Sequence, residues 1–332
     1  MKLSRLVLPL LATAVSVMVA CGGAGREREG FDGEGNVVGG NPAQSSGGSS
    51  SSTGGITPVD PSDSGRNDRC QKMDILFVVD DSGSMADEQA KLAENFQAFA
   101  DTINDFTTDS GAKLDWRVGI TTTGRDVKMI VKPPFGPTIT VNEEGDNGEL
   151  RPTKCGGADR RWIERDDPDA VADFRCRARV GTNGSGTEMP LETARLALTD
   201  RMGDTNAGFL RDDALLAIVI LTDEDDHSTR EDTIEVTVMG GDPEGEPIAN
   251  YIEAFNTIAK GANRWATAVI AAPQACGDEG SQAADRLRDF VDAAGDRGKF
   301  SSICVSDLTP ALLEALATFD AACNEFPPPE VN

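Results

Sequence analysis

The sequence predicts an α/β protein built on a doubly wound, mostly parallel sheet flanked by helices, with a disulfide-stapled insertion. Three observations lead there. Short apolar runs at Met73–Val79, Ala214–Leu221 and Trp265–Ala271 read as buried strands of a parallel sheet. Segments with apolar residues at helical spacing lie between such runs, and this alternation of strand and helix argues for parallel pairing. Roughly 250 residues separate a Gly/Ser-rich N-terminal region from a short polar tail, enough for one α/β domain with a full core.

At the N-terminus, Lys2 and Arg5 precede the apolar stretch Leu6–Ala20, which is too short to span a bilayer and has the layout of an export signal. Met18-Val19-Ala20-Cys21 resembles a bacterial lipobox, with Met18 departing from the usual Leu. The resemblance implies that residues 1–20 are a lipoprotein signal peptide and that Cys21 carries lipid. Gly22 stands where an Asp often retains lipoproteins in the inner membrane, so the expected location is the outer membrane of a Gram-negative cell, on its periplasmic or surface face. Residues 21–69 are rich in Gly, Ser, Asn, Pro and charge and cannot bury enough apolar surface to fold. They are expected to act as a tether with a reach of about 40 Å.

The folded region is expected over 70–323, followed by a tail over 324–332. Met73–Val79 is the first strand. A helix follows from about Asp87, with Leu92, Phe96, Phe99 and Ile103 facing the sheet. Asp87 and Glu88 in its first turn suit the helix dipole. Leu114–Thr121 is the second strand. Lys128–Val131 and Thr138–Val141 suit an edge hairpin around Pro133, Pro134 and Pro137, since proline is excluded from central strands. Residues 142–186 are the least regular part, and long loops in compact domains are often functional. A helix opens near Pro190, a position that tolerates proline. Further along, Ala214–Leu221 is a strand, Ile248–Ala259 a helix, Trp265–Ala271 a strand, Ala283–Ala293 a helix, Phe300–Val305 the last strand and Pro310–Ala322 the closing helix.

Chemistry is concentrated where the first strand ends. Asp80, Ser82 and Ser84 place hard oxygen ligands on alternate residues just beyond Val79. In open α/β sheets, sites form beyond the carboxyl ends of the strands. One carboxylate with two hydroxyls suits Mg²⁺, which keeps several waters and takes few protein charges. The pattern Asp-x-Ser-x-Ser after an apolar strand resembles the metal-ion-dependent adhesion site of von Willebrand factor type A domains. That family also uses a Thr on a later loop and an Asp after a later strand. Thr187, in Gly184-Ser185-Gly186-Thr187, and Asp223, at the end of Ala214–Asp223, stand at those places. The resemblance covers about residues 70–323 and implies six strands in the order 3-2-1-4-5-6 with one antiparallel edge strand. It further implies that Asp80, Ser82, Ser84, Thr187 and Asp223 contact the metal directly or through water, with Mg²⁺ the expected ion and Mn²⁺ or Ca²⁺ also open. Because residues 142–186 precede Thr187, the insertion is expected to overhang the metal and set specificity.

Seven cysteines are present, and without Cys21 six remain. An even number in an exported protein suggests disulfides. Cys70 precedes the first strand and Cys323 ends the last helix, which in an α/β layer runs back toward the strand starts, so Cys70–Cys323 would close the domain. Cys276 follows one strand and Cys304 ends its neighbour. Cys155–Cys176 would then staple the insertion. Zinc is disfavoured: no close Cys-x-x-Cys pair exists, and His227 is the single histidine.

The formal charge of −25 makes a nucleic-acid partner unsuitable and leaves membrane contact to the lipid anchor. After Asp223, the run Glu224-Asp225-Asp226 reads either as an extension of the metal site or as an acidic turn that caps a helix. An enzyme is not expected. No Gly-x-Ser-x-Gly elbow or Lys-containing phosphate loop appears, and Ser82 replaces the second acid of an Asp-x-Asp phosphatase motif. The expected function is cation-dependent binding of a protein or extracellular matrix ligand that offers a carboxylate. The alternative is a structural subunit of an envelope assembly for motility, pilus formation or secretion.

Overall fold

The computed structural model describes residues 70–107, 112–152, 155, 159–237, 245–276 and 281–327. The expected signal peptide (1–20), the lipidated Cys21, the tether over 21–69 and residues 328–332 of the tail lie outside the described residues. In chain order the elements are β1 (Lys72–Val79), α1 (Ala86–Asp105), β2 (Asp115–Thr122), β3 (Val127–Lys132), β4 (Ile139–Glu143), β5 (Trp162–Glu164), α2 (Ala170–Arg177), α3 (Pro190–Leu198), β6 (Leu215–Leu221), β7 (Thr233–Thr237), α4 (Ile248–Ile258), β8 (Trp265–Ala271), α5 (Asp285–Ala294), β9 (Gly298–Ser302) and α6 (Thr309–Glu325). Among the described residues, no helix is long and apolar enough to cross a membrane.

Six strands form the main sheet in the order β5-β2-β1-β6-β8-β9. All neighbours are parallel except β5, which runs antiparallel to β2 at one edge. Counted along the chain this is 3-2-1-4-5-6 with one antiparallel edge, the order the family resemblance implies. β6 is apolar throughout, and β1 and β8 are apolar but for Lys72, Asp74 and Thr267, because helices cover both faces. Ile75, Phe77 and Val79 point into a core shared with Phe96 and Phe99 of α1 and Leu312 and Phe319 of α6. Leu76 and Val78 point the other way, toward Leu191 of α3, Phe255 of α4 and Phe290 of α5. Phe77 meets Phe96, Phe99 and Phe174 edge-on, with ring centroids 6.2, 5.7 and 5.1 Å away.

The register of this sheet prepares the site. Val79 lies opposite Thr122 on one side and Leu221 on the other. Asp80, Thr123 and Thr222 therefore leave the sheet side by side at the carboxyl ends of three adjacent strands. The three expected disulfides are all present: Cys70–Cys323, Cys155–Cys176 and Cys276–Cys304.

Four elements depart from the sequence reading. The hairpin of β3 and β4 forms, but it joins a separate three-stranded sheet in the order β4-β3-β7, with β3 parallel to β7, rather than the edge of the main sheet. The Arg125 guanidinium locks that pairing: it donates to the carbonyls of Thr229 and Glu231 at 2.7 and 3.0 Å and pairs with Asp232. The insertion contributes β5 and α2, which its mixed Arg, Asp and Gly composition hides. The last strand begins at Gly298 and ends at Ser302, because the chain turns there and leaves Val305 40% exposed. Order also continues past Cys323, where Phe326 is only 3% exposed.

Two acids of the run after β6 serve helix ends. Asp225 accepts from the amides of Arg286 and Leu287 in the first turn of α5, at 3.0 and 3.2 Å. Asp226 accepts from the Leu191 amide in the first turn of α3 at 3.2 Å, from Ser228 Oγ at 2.5 Å and from Arg286 Nε at 2.7 Å. These amides have no partner within their own helices. The capping reading of the acidic turn thus accounts for Asp225 and Asp226, which anchor the loop carrying Asp223.

Two stability predictions follow from this packing. Phe77→Ala removes the centre of the aromatic cluster and should cost about 3–5 kcal/mol in denaturant unfolding. Asp226→Ala strands Arg286 and an amide of α3 and should cost about 3 kcal/mol. A loss under about 1 kcal/mol in either variant would show that the contacts described do not hold the fold.

Candidate metal-binding site

The loop after β1 turns at once into a short 3-10 turn over Gly83–Met85 that leads into α1. Asp80 is fully buried. Its Oδ1 accepts from the Ser82 amide at 2.7 Å and its Oδ2 from Thr222 Oγ1 at 2.6 Å, while its own amide donates to the Leu221 carbonyl at 2.9 Å. Ser82 Oγ and Ser84 Oγ are 3.2 Å apart, and Ser84 Oγ donates to Asp223 Oδ1 at 3.1 Å. Asp80, Ser82, Ser84 and Asp223 are thus drawn together as one connected set of oxygens. Thr187 is placed differently: its hydroxyl donates to Met129 Sδ at 3.5 Å, and its amide donates to Ser185 Oγ at 3.0 Å.

Three residues outside the sequence motif complete the surroundings. Gln89 on α1 donates to the Asp80 carbonyl at 2.8 Å and to the Gly181 carbonyl at 2.7 Å, and accepts from the Gly181 amide at 3.2 Å. It ties the first turns of α1 to both the metal loop and the insertion. Asp81 packs against Gly184, whose amide donates to the Asp81 carbonyl at 2.9 Å. A Cβ at Gly184 would meet the Asp81 carboxylate, so any larger residue there would have to displace that side chain. Glu188, the residue after Thr187, is fully buried, and Thr123 Oγ1 donates to its Oε2. The end of the insertion therefore lies against the loop of Asp80 and Asp81, as the sequence reading expects.

Carboxylates crowd this corner. Burial, aided by Asp146 and Asp80, pushes Asp81 up to about 7. Burial and the nearby Asp80 push Asp223 up to about 6 and Glu224 to about 7. Glu188 rises to about 10 through burial and then Asp80, against the hydrogen bond from Thr123. Burial also raises Asp80, opposed by its bonds to Thr222 and Ser82. No basic side chain hydrogen-bonds Asp80, Asp81, Asp223 or Glu188 among the described residues, and Asp81 Oδ1 and Glu188 Oε1 are buried without any partner. Strongly raised, crowded carboxylates of this kind cluster at functional sites.

The donors fit a hard divalent cation: two carboxylates and two hydroxyls that share one hydrogen-bond chain. Among the described residues, no three His, Cys, Asp or Glu side chains form a ready metal cage, so carboxylates alone do not make this site. Beside it opens a cleft of about 390 Å³, lined among others by Met129, Thr187, Glu224, His227, Ile234 and Val236. One wall is the second sheet and the other is the candidate-site loops. Glu88, in the first turns of α1, pairs with Lys91 at 3.2 Å.

No family model and no curated protein matches this chain. Solved structures do. Proximal thread matrix protein 1 from the mussel byssus matches with a TM-score of 0.39 and 11% identity, over 76% of this chain and 49% of that one. One structure of that protein has a zinc-occupied MIDAS motif. The pilus adhesin SpaC from Lactobacillus rhamnosus GG matches with a TM-score of 0.39 and 13% identity, over 77% of this chain and 31% of that one. The manganese-loaded TRAP protein of Plasmodium vivax matches with a TM-score of 0.36 and 12% identity, over 76% of this chain and 74% of that one. This chain thus spans about half the length of the mussel protein and about a third of the pilus adhesin.

Proposed function

We propose that this chain is a binding module, not an enzyme, that captures a protein or matrix ligand through a divalent cation held at Asp80, Ser82, Ser84 and Asp223. The observation that carries this reading is the connected set of oxygens at the ends of β1 and β6, in a corner of partnerless carboxylates. The bound ion would supply an electrophilic position that a ligand carboxylate can fill. The protein's part is to orient the donors: Thr222 and the Ser82 amide fix the Asp80 carboxylate, and Ser84 bridges to Asp223. Ser82 and Ser84 add neutral oxygens, so the chain does not itself saturate the ion's charge. The adjoining cleft leaves room for side chains that flank the ligand's acid.

Anchorage through Cys21 to the outer membrane, with residues 21–69 as tether, belongs to the same proposal and rests on the sequence alone. Mg²⁺ is the proposed ion because hydroxyl-rich sites with few charges suit it. A second reading is favoured by the burial of Asp80 and Asp223, 0% and 5% exposed: a structural ion in a subunit of an envelope assembly.

The test uses the full-length chain. Mg²⁺, Mn²⁺ and Ca²⁺ are titrated calorimetrically into the wild type and into Asp80→Ala, followed by capture from envelope and matrix protein extracts with and without chelator. Asp80→Ala should weaken cation affinity by at least about a hundredfold and abolish capture while the chain stays folded. Capture that survives both the chelator and Asp80→Ala would refute cation-mediated binding. A fixed set of envelope proteins retained in chelator would favour the assembly reading.

A further inference from the structure

Glu188 stands out among the buried groups, because its position has no structural use that the protein itself completes. The residue is 0% exposed. One carboxylate oxygen, Oε2, accepts from Thr123, while the other, Oε1, has no partner at all. Its backbone is pinned on both sides: the His227 amide donates to the Glu188 carbonyl at 2.7 Å, and the next amide, of Met189, donates to the Thr123 carbonyl at 3.1 Å. The side chain is thus held where β2 ends, beside Asp80 at the end of β1, since Thr122 and Val79 are in register.

A buried carboxylate oxygen without a hydrogen bond costs several kcal/mol unless water or an ion that it faces completes it. No basic side chain serves Glu188, and the carboxylates of Asp80, Asp81 and Glu224 are its nearest charged neighbours in effect. The Thr187 hydroxyl, which the family pattern would use here, donates to Met129 Sδ on the second sheet at 3.5 Å.

We propose that Glu188, rather than Thr187, holds the inner side of the cation site, with its free Oε1 accepting a hydrogen bond from a water bound to the ion. This deepens the reading given under Proposed function and rests on it. Glu188 does not close a three-acid cage with Asp80 and Asp223, which agrees with the lack of such a group among the described residues. Its place is behind the direct donors, where a carboxylate orients a coordinated water and adds negative charge. Thr123 clamps the other oxygen, so the carboxylate presents a single set of lone pairs inward. Asp80, Ser82, Ser84 and Asp223 would hold the ion directly, and Glu188 would act on it only through the bound water. Glu188 is a positioning residue in this scheme.

The experiment compares the full-length wild type with Glu188→Gln, Glu188→Asp, Thr187→Val and Asp80→Ala. Each is titrated with Mg²⁺ and with Mn²⁺ by calorimetry, and melting temperatures are taken in chelator and in saturating cation. Glu188→Gln keeps the size of the side chain but loses its charge. It should lower Mg²⁺ affinity by about 10–100-fold, the usual effect of removing an outer carboxylate, and lose most of the cation-induced rise in melting temperature. In chelator it should melt within a degree or two of the wild type, because Gln keeps the size of the side chain and can still accept from Thr123; this separates loss of the ion from loss of the fold. Glu188→Asp should recover part of the affinity, and Thr187→Val should stay within about twofold of the wild type. Full affinity in Glu188→Gln, or a larger loss in Thr187→Val than in Glu188→Gln, would overturn the assignment of Glu188 while leaving the cation site intact. Cation binding that is absent in the wild type, or unchanged in Asp80→Ala, would overturn the cation reading itself and Glu188 with it.

Discussion

The structure depends on one electrostatic constraint: several carboxylates share a buried corner at the carboxyl ends of β1, β2 and β6. Asp80 sits at its centre and is fully enclosed. Hydrogen bonds from Thr222 and from the Ser82 amide favour its charged form, but burial works against them. Asp81, Glu188, Asp223 and Glu224 lie close enough to resist ionising together, and each is raised well above the usual carboxylate range. Crowding of this kind concentrates at functional sites, where buried like charges shift one another's proton affinity. Uncharged residues at these places would pack at lower cost.

The scaffold around this corner is rigid for physical reasons that can be traced strand by strand. Parallel pairing puts Val79 level with Thr122 and Leu221, so three chain crossings deliver their polar residues to one spot. Gln89 bonds simultaneously to the Asp80 carbonyl and to Gly181, joining the first helix to the insertion. Gly184 lets the insertion pack against the Asp81 carboxylate without displacing it. Gly145 similarly lies with its Cβ position against the backbone of Gly124, bringing the loop after β4 over the end of β2. Asp225 and Asp226 belong to this framework too: by capping α5 and α3 they hold the loop of Asp223 against the sheet.

The second sheet adds a wall that a minimal doubly wound fold lacks. β3 and β4 run out from the main sheet, and β7 comes back from beyond the Asp223 loop to pair with β3. Its small buried contact of Val127, Ile234 and Met189 is modest, and the Arg125 clamp to the β7 side compensates by ordering the backbone. The outcome is a cleft with an apolar side at Met129, Ile234 and Val236 and a polar side at Glu224 and His227, next to the metal-site loops. Thr187 faces this cleft, and its bond to Met129 ties the candidate site to the second sheet.

Sequence alone was sufficient wherever the signal is local and periodic. The long apolar strands, the amphipathic helices and the Asp-x-Ser-x-Ser turn are dictated by residues adjacent in the chain, and Asp80, Ser82, Ser84 and Asp223 come together as that pattern implies. The cysteine pairs followed once strand and helix directions were assigned, since those directions set which ends meet. Tertiary structure alone decided the rest, because each case turns on partners far apart in sequence. β5 and β7 are short strands whose identity comes from pairing with β2 and β3, not from their composition. The acidic run after Asp223 divides into caps and a site-facing Glu224 only when α3 and α5 arrive beside it. Glu188 and Thr187 are neighbours on one loop and equally polar. Their hydrogen-bond partners come from far away in the chain: Thr123, 65 residues back and just past β2, for Glu188, and Met129, on a sheet that the local sequence does not announce, for Thr187.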